Sequence, residues 1–253
     1  MSTRRIRVDS ALVKRGLAES ADVARALIDE GVVLANGSVV MTHSRQVAQS
    51  DELLVKPVDQ FVSRGGIKLE AALAAFNIDV SNQRALDAGA STGGFTDCLL
   101  QRGASEVVAV DVGKSQMHER VATNNRVVVI DTFNVRQLAD DIQDLPIPLR
   151  SEFDLAVADL SFISLKSVSR ALTARLSRSG NLVVLVKPQF EATKLEVDRS
   201  QGVIADQAIR DRVVGEVNQS FAEQGWAVHG CIESPIHGAE GNVEYLVWYR
   251  FEA

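Results

Sequence analysis

The sequence predicts a doubly wound α/β domain that follows a small N-terminal α+β domain. From residue 63 onward, strand-like apolar runs alternate with amphipathic helices, which is typical of βαβ units. Runs such as VVAV (107–110) and LVVLV (182–186) are continuously apolar, which indicates strands buried on both faces of a parallel sheet. Before residue 57 the order differs, because two short helices come first and a hairpin follows them.

The composition is that of a folded chain of one large domain or of a large and a small one. It has 253 residues, of which 46% are hydrophobic and 24% are charged. No run approaches the ~18 apolar residues that cross a bilayer, and the N-terminus lacks the apolar core of a signal peptide. The two cysteines, Cys98 and Cys231, are far apart and form no C-x-x-C pair. We therefore expect a cytoplasmic protein with no membrane span, no disulfide framework and no bound metal.

The N-terminal domain is predicted to span residues 1–57. Residues 8–16 and 20–31 read as amphipathic helices that each end at a glycine, with Ser20 as the N-cap of the second. Asn36-Gly37 is a two-residue hairpin turn, and a strand follows near 51–57. Residues 58–62 are predicted to be a linker, and residues 63–253 the second domain.

The second domain is predicted to combine seven strands with four helices, and its last two strands to pair antiparallel because no crossover helix fits between them. The predicted strands are ALDAG (85–89), EVVAVDV (106–112), RVVVID (126–131), FDLAVADL (153–160), NLVVLVKP (181–188), WAVHGCIES (226–234) and NVEYLVWYR (242–250). The predicted helices are IKLEAALAAF (67–76), GGFTDCLLQRG (93–103), SVSRALTARLSRSG (167–180) and DRVVGEVNQSFAEQG (211–225).

Charge is distributed unevenly along a chain whose net charge is −6. Residues 1–60 carry eight basic and eight acidic residues, so the whole deficit lies beyond them. The first fifteen residues hold five basic side chains against one acidic, and such a cluster contacts phosphate locally even on an acidic protein. A solvated basic terminus is the equally simple alternative. The predicted RNA-binding residues are Arg4, Arg5, Arg7, Lys14 and Arg15.

A glycine-rich turn links the strand 85–89 to the helix that follows it. Glycines let the backbone approach a ligand, and a helix N-terminus offers free N–H groups. Asp111, 22 residues after Gly89, ends the next strand, where a carboxylate accepts bonds from ribose hydroxyls. The pattern G-x-x-x-G-G favours S-adenosylmethionine over a dinucleotide. The predicted cofactor-binding residues are Asp87, Gly89, Ala90, Ser91, Thr92, Gly93, Gly94, Phe95, Thr96, Asp111, Val112, Asp131 and Asp159.

Four further polar residues stand where the fold predicts the carboxyl edge of the sheet. Asp159 and Lys187 follow two parallel strands, and Glu244 begins the antiparallel last strand, so its start lies at the same edge. Lys68 lies on the helix before the first strand. Each alone has a simpler explanation, Lys68 above all as part of the polar face of an amphipathic helix. Together beside a nucleoside site, they predict a catalytic group.

These motifs resemble a known family. The chain resembles the TlyA group of FtsJ-like RNA methyltransferases, often labelled haemolysins. The motifs that carry the resemblance are SRGGIKL (63–69), LDAGASTGGFTDCLL (86–100), VAVDVG (108–113), ADLSFISL (158–165), LVKPQFE (185–191) and GNVEYL (241–246). The segment from RVDSALVKRGLAES (7–20) through ARALIDEGVVLANG (24–37) resembles a small RNA-binding domain of the S-four ribosomal-protein type. The resemblance implies a Rossmann-like class I methyltransferase domain. It also implies S-adenosylmethionine-dependent 2′-O-methylation of ribose, expected at cytidine, in ribosomal RNA or ribosomal subunits, with Lys68, Asp159, Lys187 and Glu244 as catalytic tetrad.

Such chemistry needs a group that removes the proton of a ribose hydroxyl. Lys187 is the expected general base, since burial and the nearby Lys68 would lower its pKa, while Asp159 and Glu244 would orient the reacting groups. The sequence leaves open which lysine is the base. A non-catalytic RNA-binding or membrane-active protein that keeps the fold is the alternative.

Other methyl acceptors fit less well. The segment Asp159-Leu-Ser-Phe162 departs from the Asn/Asp-Pro-Pro-aromatic run of base amino-methyltransferases. We expect Phe95, Phe162 and Phe190 to pack in the core rather than to stack on a base.

Overall fold

The computed structural model describes residues 5–56 and 60–252 and separates into two units, Met1–Gln60 and Phe61–Ala253. The division falls inside the predicted linker 58–62, of which residues 58 and 59 lie outside the described residues. Phe61 is 3% exposed in a core cluster of the second unit. The Val62 N–H donates to Asp97 at 2.8 Å. The last two residues of that linker therefore belong to the second unit.

The first unit is a small α+β fold whose turns follow its sequence. Ser20 accepts a hydrogen bond from the N–H of Val23, and Gly16 and Gly31 take φ of 71° just after the two helices. Asn36 and Gly37 have φ of 50° and 77°, as a tight hairpin turn requires. The elements are β1 (Ile6–Arg7), α1 (Val8–Lys14), α2 (Ala21–Asp29), β2 (Val33–Ala35), β3 (Ser38–Val39), β4 (Gln46–Val47) and β5 (Leu53–Val55).

Strands of the first unit form two small antiparallel sheets, ordered β3-β2-β5 and β1-β4. Apolar side chains from both helices and from the strands close one core between them, including Leu12, Ile28 and Val33. The short strands β1 and β4 have no counterpart in the sequence prediction, since two residues are too few to show an alternating pattern.

The second unit is built on a seven-stranded sheet with the order β11-β12-β10-β9-β6-β7-β8. Its strands are β6 (Arg84–Ala88), β7 (Glu106–Val110), β8 (Val127–Ile130), β9 (Phe153–Ala158), β10 (Leu176–Val186), β11 (Trp226–Glu233) and β12 (Tyr245–Phe251). β12 pairs antiparallel with both β10 and β11, and the other pairs are parallel. The predicted doubly wound α/β fold with an antiparallel edge is confirmed.

Helices cover both faces of this sheet. They are α3 (Arg64–Ala75), α4 (Gly94–Gln101), α5 (Glu119–Ala122), α6 (Ser169–Thr173), α7 (Pro188–Glu191), α8 (Lys194–Arg199) and α9 (Gln207–Ala222). Alternate residues of β10 enter the two cores, with Val184 packing on one face and Val183 on the other. Burial on both faces explains why these strands are continuously apolar. Within the described ranges, no helix combines the length and apolar character needed to cross a membrane.

The predicted helix 167–180 is wrong in its second half. The α-helix ends at Thr173, and β10 already begins at Leu176, which pairs with Phe153 and packs in the same core. The ladder is interrupted between Leu176 and Asn181. Ser177 to Gly180 have little apolar surface that a helix could bury, and serine and glycine are poor helix formers. The pairing of Leu176 with Phe153 therefore determines that this segment is a strand.

Candidate active site

The glycine-rich turn lies where the strand order of the sheet reverses. From β6 the chain runs outward through β7 and β8 and then returns to β9 on the other side of β6. Gly89 takes φ of 85°, and a Cβ there would lie 2.6 Å from the backbone oxygen of Asp159. Ala88 and Asp159 are also joined by a backbone hydrogen bond of 3.1 Å. Glycine is thus required by the close approach of two strand ends at the position where open α/β sheets bind ligands.

A cavity of about 420 Å³ opens beside this turn, with Asp111 on its wall. The Asp111 carboxylate accepts the N–H of Ser91 at 2.8 Å and that of Gly113 at 2.7 Å, one on each oxygen. Each carboxylate oxygen has two lone pairs, so each keeps one acceptor site after these bonds. Two acceptors held at a fixed orientation match the two hydroxyls of a ribose.

The predicted cofactor-binding residues are distributed over two adjoining cavities and the wall behind them. Those on the 420 Å³ cavity are Gly89, Ser91, Asp111, Val112 and Asp159. A second cavity, of about 160 Å³, shares Gly89, Ser91 and Asp159 and adds Ala90, Thr92, Gly94 and Phe95. Among the described residues, the linings of these cavities do not include Asp87, Gly93, Thr96 or Asp131.

Asp87 and Asp131 instead accept hydrogen bonds from other groups of the protein. Asp131 accepts the N–H of Ser115 at 2.8 Å. Asp87 is fully buried and accepts the hydroxyl of Thr96 at 2.6 Å, whereas its Oδ1 has no hydrogen-bond partner among the described residues. Burial raises the pKa of Asp87 to about 7, against the lowering effect of the Thr96 bond.

Several residues of the larger cavity were missed by the sequence prediction. They follow β8 and β9 and are Phe133, Asn134, Val135, Arg136, Leu160, Ser161 and Ile163, together with Gln116. Asn134 is the N-cap of a short helix: its side chain accepts the N–H of Arg136, and the Gln137 side chain accepts the N–H of Asn134. The N-x-x-Q spacing predicts such a capping box. Because β8 is parallel to β7, its carboxyl end lies at the same edge of the sheet, so the residues that follow β8 could have been predicted to line the cavity.

Lys187 and Asp159 form an ion pair in the second cavity. They follow β10 and β9, which are neighbouring parallel strands. The Nζ of Lys187 lies 2.6 Å from Oδ1 of Asp159 and donates to the hydroxyl of Ser161 at 2.9 Å. Lys187 is only 9% exposed, yet both charged groups line the cavity. A partly desolvated ion pair whose lysine is also hydrogen-bonded to Ser161, beside a nucleoside-sized cavity, is suited to orient and deprotonate a hydroxyl.

Lys68 and Glu244 form a second ion pair, more deeply buried. Lys68 Nζ lies 2.5 Å from Glu244 Oε2, and the side chains are 10% and 3% exposed. Tyr245 pairs with Val186 across the antiparallel ladder, so Glu244 is adjacent to the end of the strand that precedes Lys187. A third cavity, of about 410 Å³, is lined by Lys68 and shares Ser63 and Gly65 with the second one.

The structure therefore brings the predicted tetrad together as two lysine–carboxylate pairs along adjoining cavities. Glu244 lies one residue before β12 rather than at its first residue. The alternative of Lys68 as a solvated helix residue does not hold, because Lys68 is 8% exposed and paired with Glu244.

The phenylalanines divide between the core and the surface. Phe95 is 3% exposed and packs in the core as predicted. Phe162 is 90% exposed, so its predicted core packing is wrong. Its φ of 63° turns the side chain outward, and its ring centroid lies 5.1 Å from that of the partly buried Phe190. Phe162 lines the 420 Å³ cavity, whereas Phe190 does not.

The basic residues predicted to bind RNA have different surroundings. Arg4 lies outside the described residues. Arg5 and Lys14 are exposed. Arg7 donates two hydrogen bonds to the buried carboxylate of Asp9. Arg15 donates to backbone carbonyls of residues 48, 49 and 51. Arg7 and Arg15 therefore also hold the first unit together.

Comparison with known proteins gives one consistent family. Residues 61–251 match the model of the FtsJ-like methyltransferases. The chain is 45% identical over 249 residues to the 16S/23S rRNA (cytidine-2′-O)-methyltransferase TlyA of Mycobacterium tuberculosis, covering 98% of this chain and 90% of that protein. It is 36% identical over 244 residues to Hemolysin A of Brachyspira hyodysenteriae, with coverages of 96% and 99%.

A solved structure agrees with these matches. The protein described as a hemolysin from Streptococcus thermophilus superposes with a TM-score of 0.71 at 36% identity, over 99% of this chain and 90% of that one. The fold, the cavities at the switch point and these matches lead to the same conclusion. The chain belongs to the FtsJ-like methyltransferase family and, within it, to the TlyA group.

Proposed function

We propose that the protein transfers the methyl group of S-adenosylmethionine to the 2′-hydroxyl of a cytidine in ribosomal RNA. The observation that carries the proposal is the Lys187–Asp159 pair, which lines a cavity that shares Asp159 and Ser161 with the one that presents Asp111. The name of the Mycobacterium tuberculosis relative, an rRNA (cytidine-2′-O)-methyltransferase, supports the substrate.

The residues of the larger cavity fit the proposed cofactor. Asp111 has a free acceptor site on each oxygen for the ribose hydroxyls, and the turn residues Gly89 and Ser91 line the same cavity. The apolar side chains of Phe133, Val135 and Ile163 supply walls for a flat base. When bound, S-adenosylmethionine supplies a methyl group on a positively charged sulfur, which is already a good leaving group.

The second cavity orients and deprotonates the attacking hydroxyl. Lys187 is held from two sides, by Asp159 at 2.6 Å and Ser161 at 2.9 Å, so its amine occupies one position. When unprotonated, the Lys187 amine would accept the hydroxyl proton and become an ammonium stabilised by Asp159. Fixing the hydroxyl in line with the bond that breaks contributes to the rate as well.

The third cavity fits the backbone next to the target ribose. In RNA a 2′-hydroxyl is always next to a 3′-phosphodiester, so a site for the hydroxyl needs a neighbouring site for an anion. Arg64, Lys68 and His237 line this cavity, and the Arg64 guanidinium donates to the backbone oxygen of His237 at 2.6 Å. Because Glu244 neutralises Lys68, Arg64 is the main positive charge available to the phosphate.

The first unit is proposed to be an RNA-binding domain of the S-four type, and residues 58–60, the part of the predicted linker before Phe61, the segment that joins it to the methyltransferase domain. The acidic remainder of the chain attracts RNA poorly, so the exposed Arg5 and Lys14 are expected to supply phosphate contacts. RNA affinity should then fall steeply with salt, and each lost contact should reduce the slope by about one unit. The cytoplasm, where ribosomal subunits occur, is the proposed compartment.

The test is transfer of labelled methyl from S-adenosylmethionine to purified ribosomal subunits, followed by mapping of the modified nucleotide. Lys187→Ala should abolish transfer while the cofactor affinity stays near that of the wild type, because its task is in the transition state. Arg178→Gln, at the exposed far end of the same strand, is the matched control and should leave transfer unchanged.

Two outcomes would contradict the proposal. Transfer by Lys187→Ala at the wild-type rate would refute the catalytic assignment, and the absence of transfer by the wild type would favour the non-catalytic alternative. A synthetic RNA with a 2′-deoxy sugar at the mapped nucleotide should accept no methyl group, whereas a base methyltransferase would still modify it.

A further inference from the structure

Two segments that carry the methyl-transfer residues are joined by one buried carboxylate. Glu191, the last residue of α7, is 6% exposed. It accepts the hydroxyl of Ser164 at 2.5 Å and the backbone N–H of Leu165 at 2.6 Å. α7 directly follows Lys187, and Ser164 and Leu165 end the loop that begins after Asp159, which we call loop 160–165. The bonds of Glu191 therefore connect the carboxyl ends of β9 and β10.

A carboxylate in this position needs a reason, because burial of its charge is unfavourable. Burial raises the pKa of Glu191 and outweighs the bonds from Ser164 and Leu165 that lower it. A neutral or apolar residue would avoid that penalty. An apolar residue accepts no hydrogen bonds, however, whereas Glu191 accepts two from a neighbouring loop.

Loop 160–165 has a conformation that must be held from both ends. Phe162 has φ of 63°, a region that residues with a bulky side chain avoid, so the loop reaches it only when its surroundings enforce it. At the start, the N–H of Asp159 is bonded to Ala88 in the central strand. At the end, Glu191 holds Ser164 and Leu165. Between these anchors lies Ser161, which accepts the bond from Lys187.

We propose that Glu191 is a positioning residue for methyl transfer, whose carboxylate fixes loop 160–165 against α7 and thereby sets Ser161 and Asp159 against Lys187. This inference rests on the proposed function. Glu191 lines neither of the cavities that hold Asp159 and Lys187, so it acts through the loop and not on the substrate.

The test compares Glu191→Ala with Glu191→Gln. The alanine variant should lower kcat by about 10- to 100-fold, as small misplacements of reacting groups do, with a much smaller change in cofactor affinity. The glutamine variant should restore most of the rate, because its amide oxygen accepts from the Leu165 N–H while its NH₂ donates to the Ser164 oxygen. Glu196→Ala is the matched control, since it removes a capping carboxylate from α8 and should leave kcat unchanged.

Ser164→Ala keeps the proposal falsifiable if Glu191→Ala does not fold, and hydrogen exchange adds a readout of the loop if it does. Ser164→Ala should lower kcat by a few-fold, and in a folded double variant it should add nothing to Glu191→Ala, because both changes break one connection. Hydrogen exchange at the Leu165 amide should accelerate in Glu191→Ala and Glu191→Ala/Ser164→Ala but not in Glu196→Ala.

Each contrary result overturns the inference. A folded Glu191→Ala or Ser164→Ala at the wild-type rate excludes a positioning role. A Glu191→Gln variant as slow as Glu191→Ala shows that the negative charge acts directly rather than the pair of bonds. If the wild type transfers no methyl group to ribosomal subunits, the proposed function fails, while the exchange rate of the Leu165 amide still decides whether Glu191 holds the loop.

Discussion

Removing one partner of the Lys68–Glu244 pair should destabilise the second unit strongly. The two side chains are 10% and 3% exposed and lie 2.5 Å apart, so a lone charge left behind has little access to water. Breaking such a buried pair costs about 3–5 kcal/mol, whereas replacing both partners by apolar residues of similar volume is often neutral. We therefore expect Lys68→Met and Glu244→Met each to cost about 3–5 kcal/mol, and the double variant to lie within about 1–2 kcal/mol of the wild type.

Urea unfolding followed by tryptophan fluorescence measures this effect in the right unit. Both tryptophans, Trp226 and Trp248, lie on strands of the second unit, so the signal reports on that unit. With a denaturant slope near 3 kcal/mol/M, the upper end of the usual range, each single variant should lower the midpoint by about 1–2 M urea.

Activity separates the structural contribution of the pair from its catalytic one. The double variant should regain stability but stay inactive, because the methionines supply neither a charge nor a hydrogen bond to the site. Single variants with the wild-type midpoint would refute the argument from burial. A double variant that methylates RNA normally would remove Lys68 and Glu244 from the catalytic machinery.

Three further predictions concern the cofactor, pH and the RNA. Asp111→Asn should weaken S-adenosylmethionine binding by calorimetry about ten-fold or more, as loss of a charged acceptor does, whereas Asp131→Asn should not; equal affinities would contradict the ribose assignment. Burial raises the pKa of Asp87 from 3.8 to about 7, so between pH 4 and 7 the folded protein keeps a proton that the unfolded chain has lost. The free energy of unfolding should therefore fall as the pH rises over this range. Asp87→Asn should flatten that fall, and identical pH dependence in both proteins would exclude the effect. Phe162→Ala should lower methyl transfer, because the ring lines the 420 Å³ cavity, and should leave the melting temperature unchanged, because the ring is 90% exposed. A matching loss of stability would indicate a packing role instead.

The sequence predicts the parts of this protein whose signals are local. The helix ends at Gly16 and Gly31, the hairpin turn at Asn36 and the apolar strands of the sheet each depend on a few neighbouring residues, and the structure agrees with them. Once the strands are ordered, the carboxyl edge follows, and with it the approximate position of Lys187 and Asp111.

What the sequence does not predict depends on long-range partners. Lys68 and Glu244 are separated by 176 positions, so their pairing is decided by the register of β12 against β10 and not by any local pattern. Similarly, β10 begins at Leu176 because Phe153 lies beside it. The exposure of Phe162 is not predictable from the sequence, since a positive φ in a phenylalanine has no local sequence signal.

The reversed direction of β12 separates two tasks that a fully parallel sheet would force onto the same loops. The larger cavity is built from segments that follow β6, β7, β8 and β9. The cavity at Lys68 is built from the start of α3 and from the turn that precedes β12, which includes His237 and Ala239. Had β12 been parallel, that turn would open at the opposite edge of the sheet. If the larger cavity holds the methyl donor and the cavity at Lys68 the acceptor, as proposed, insertions and substitutions before β12 can alter which acceptor is recognised while the donor pocket keeps its sequence, so the two specificities can evolve independently.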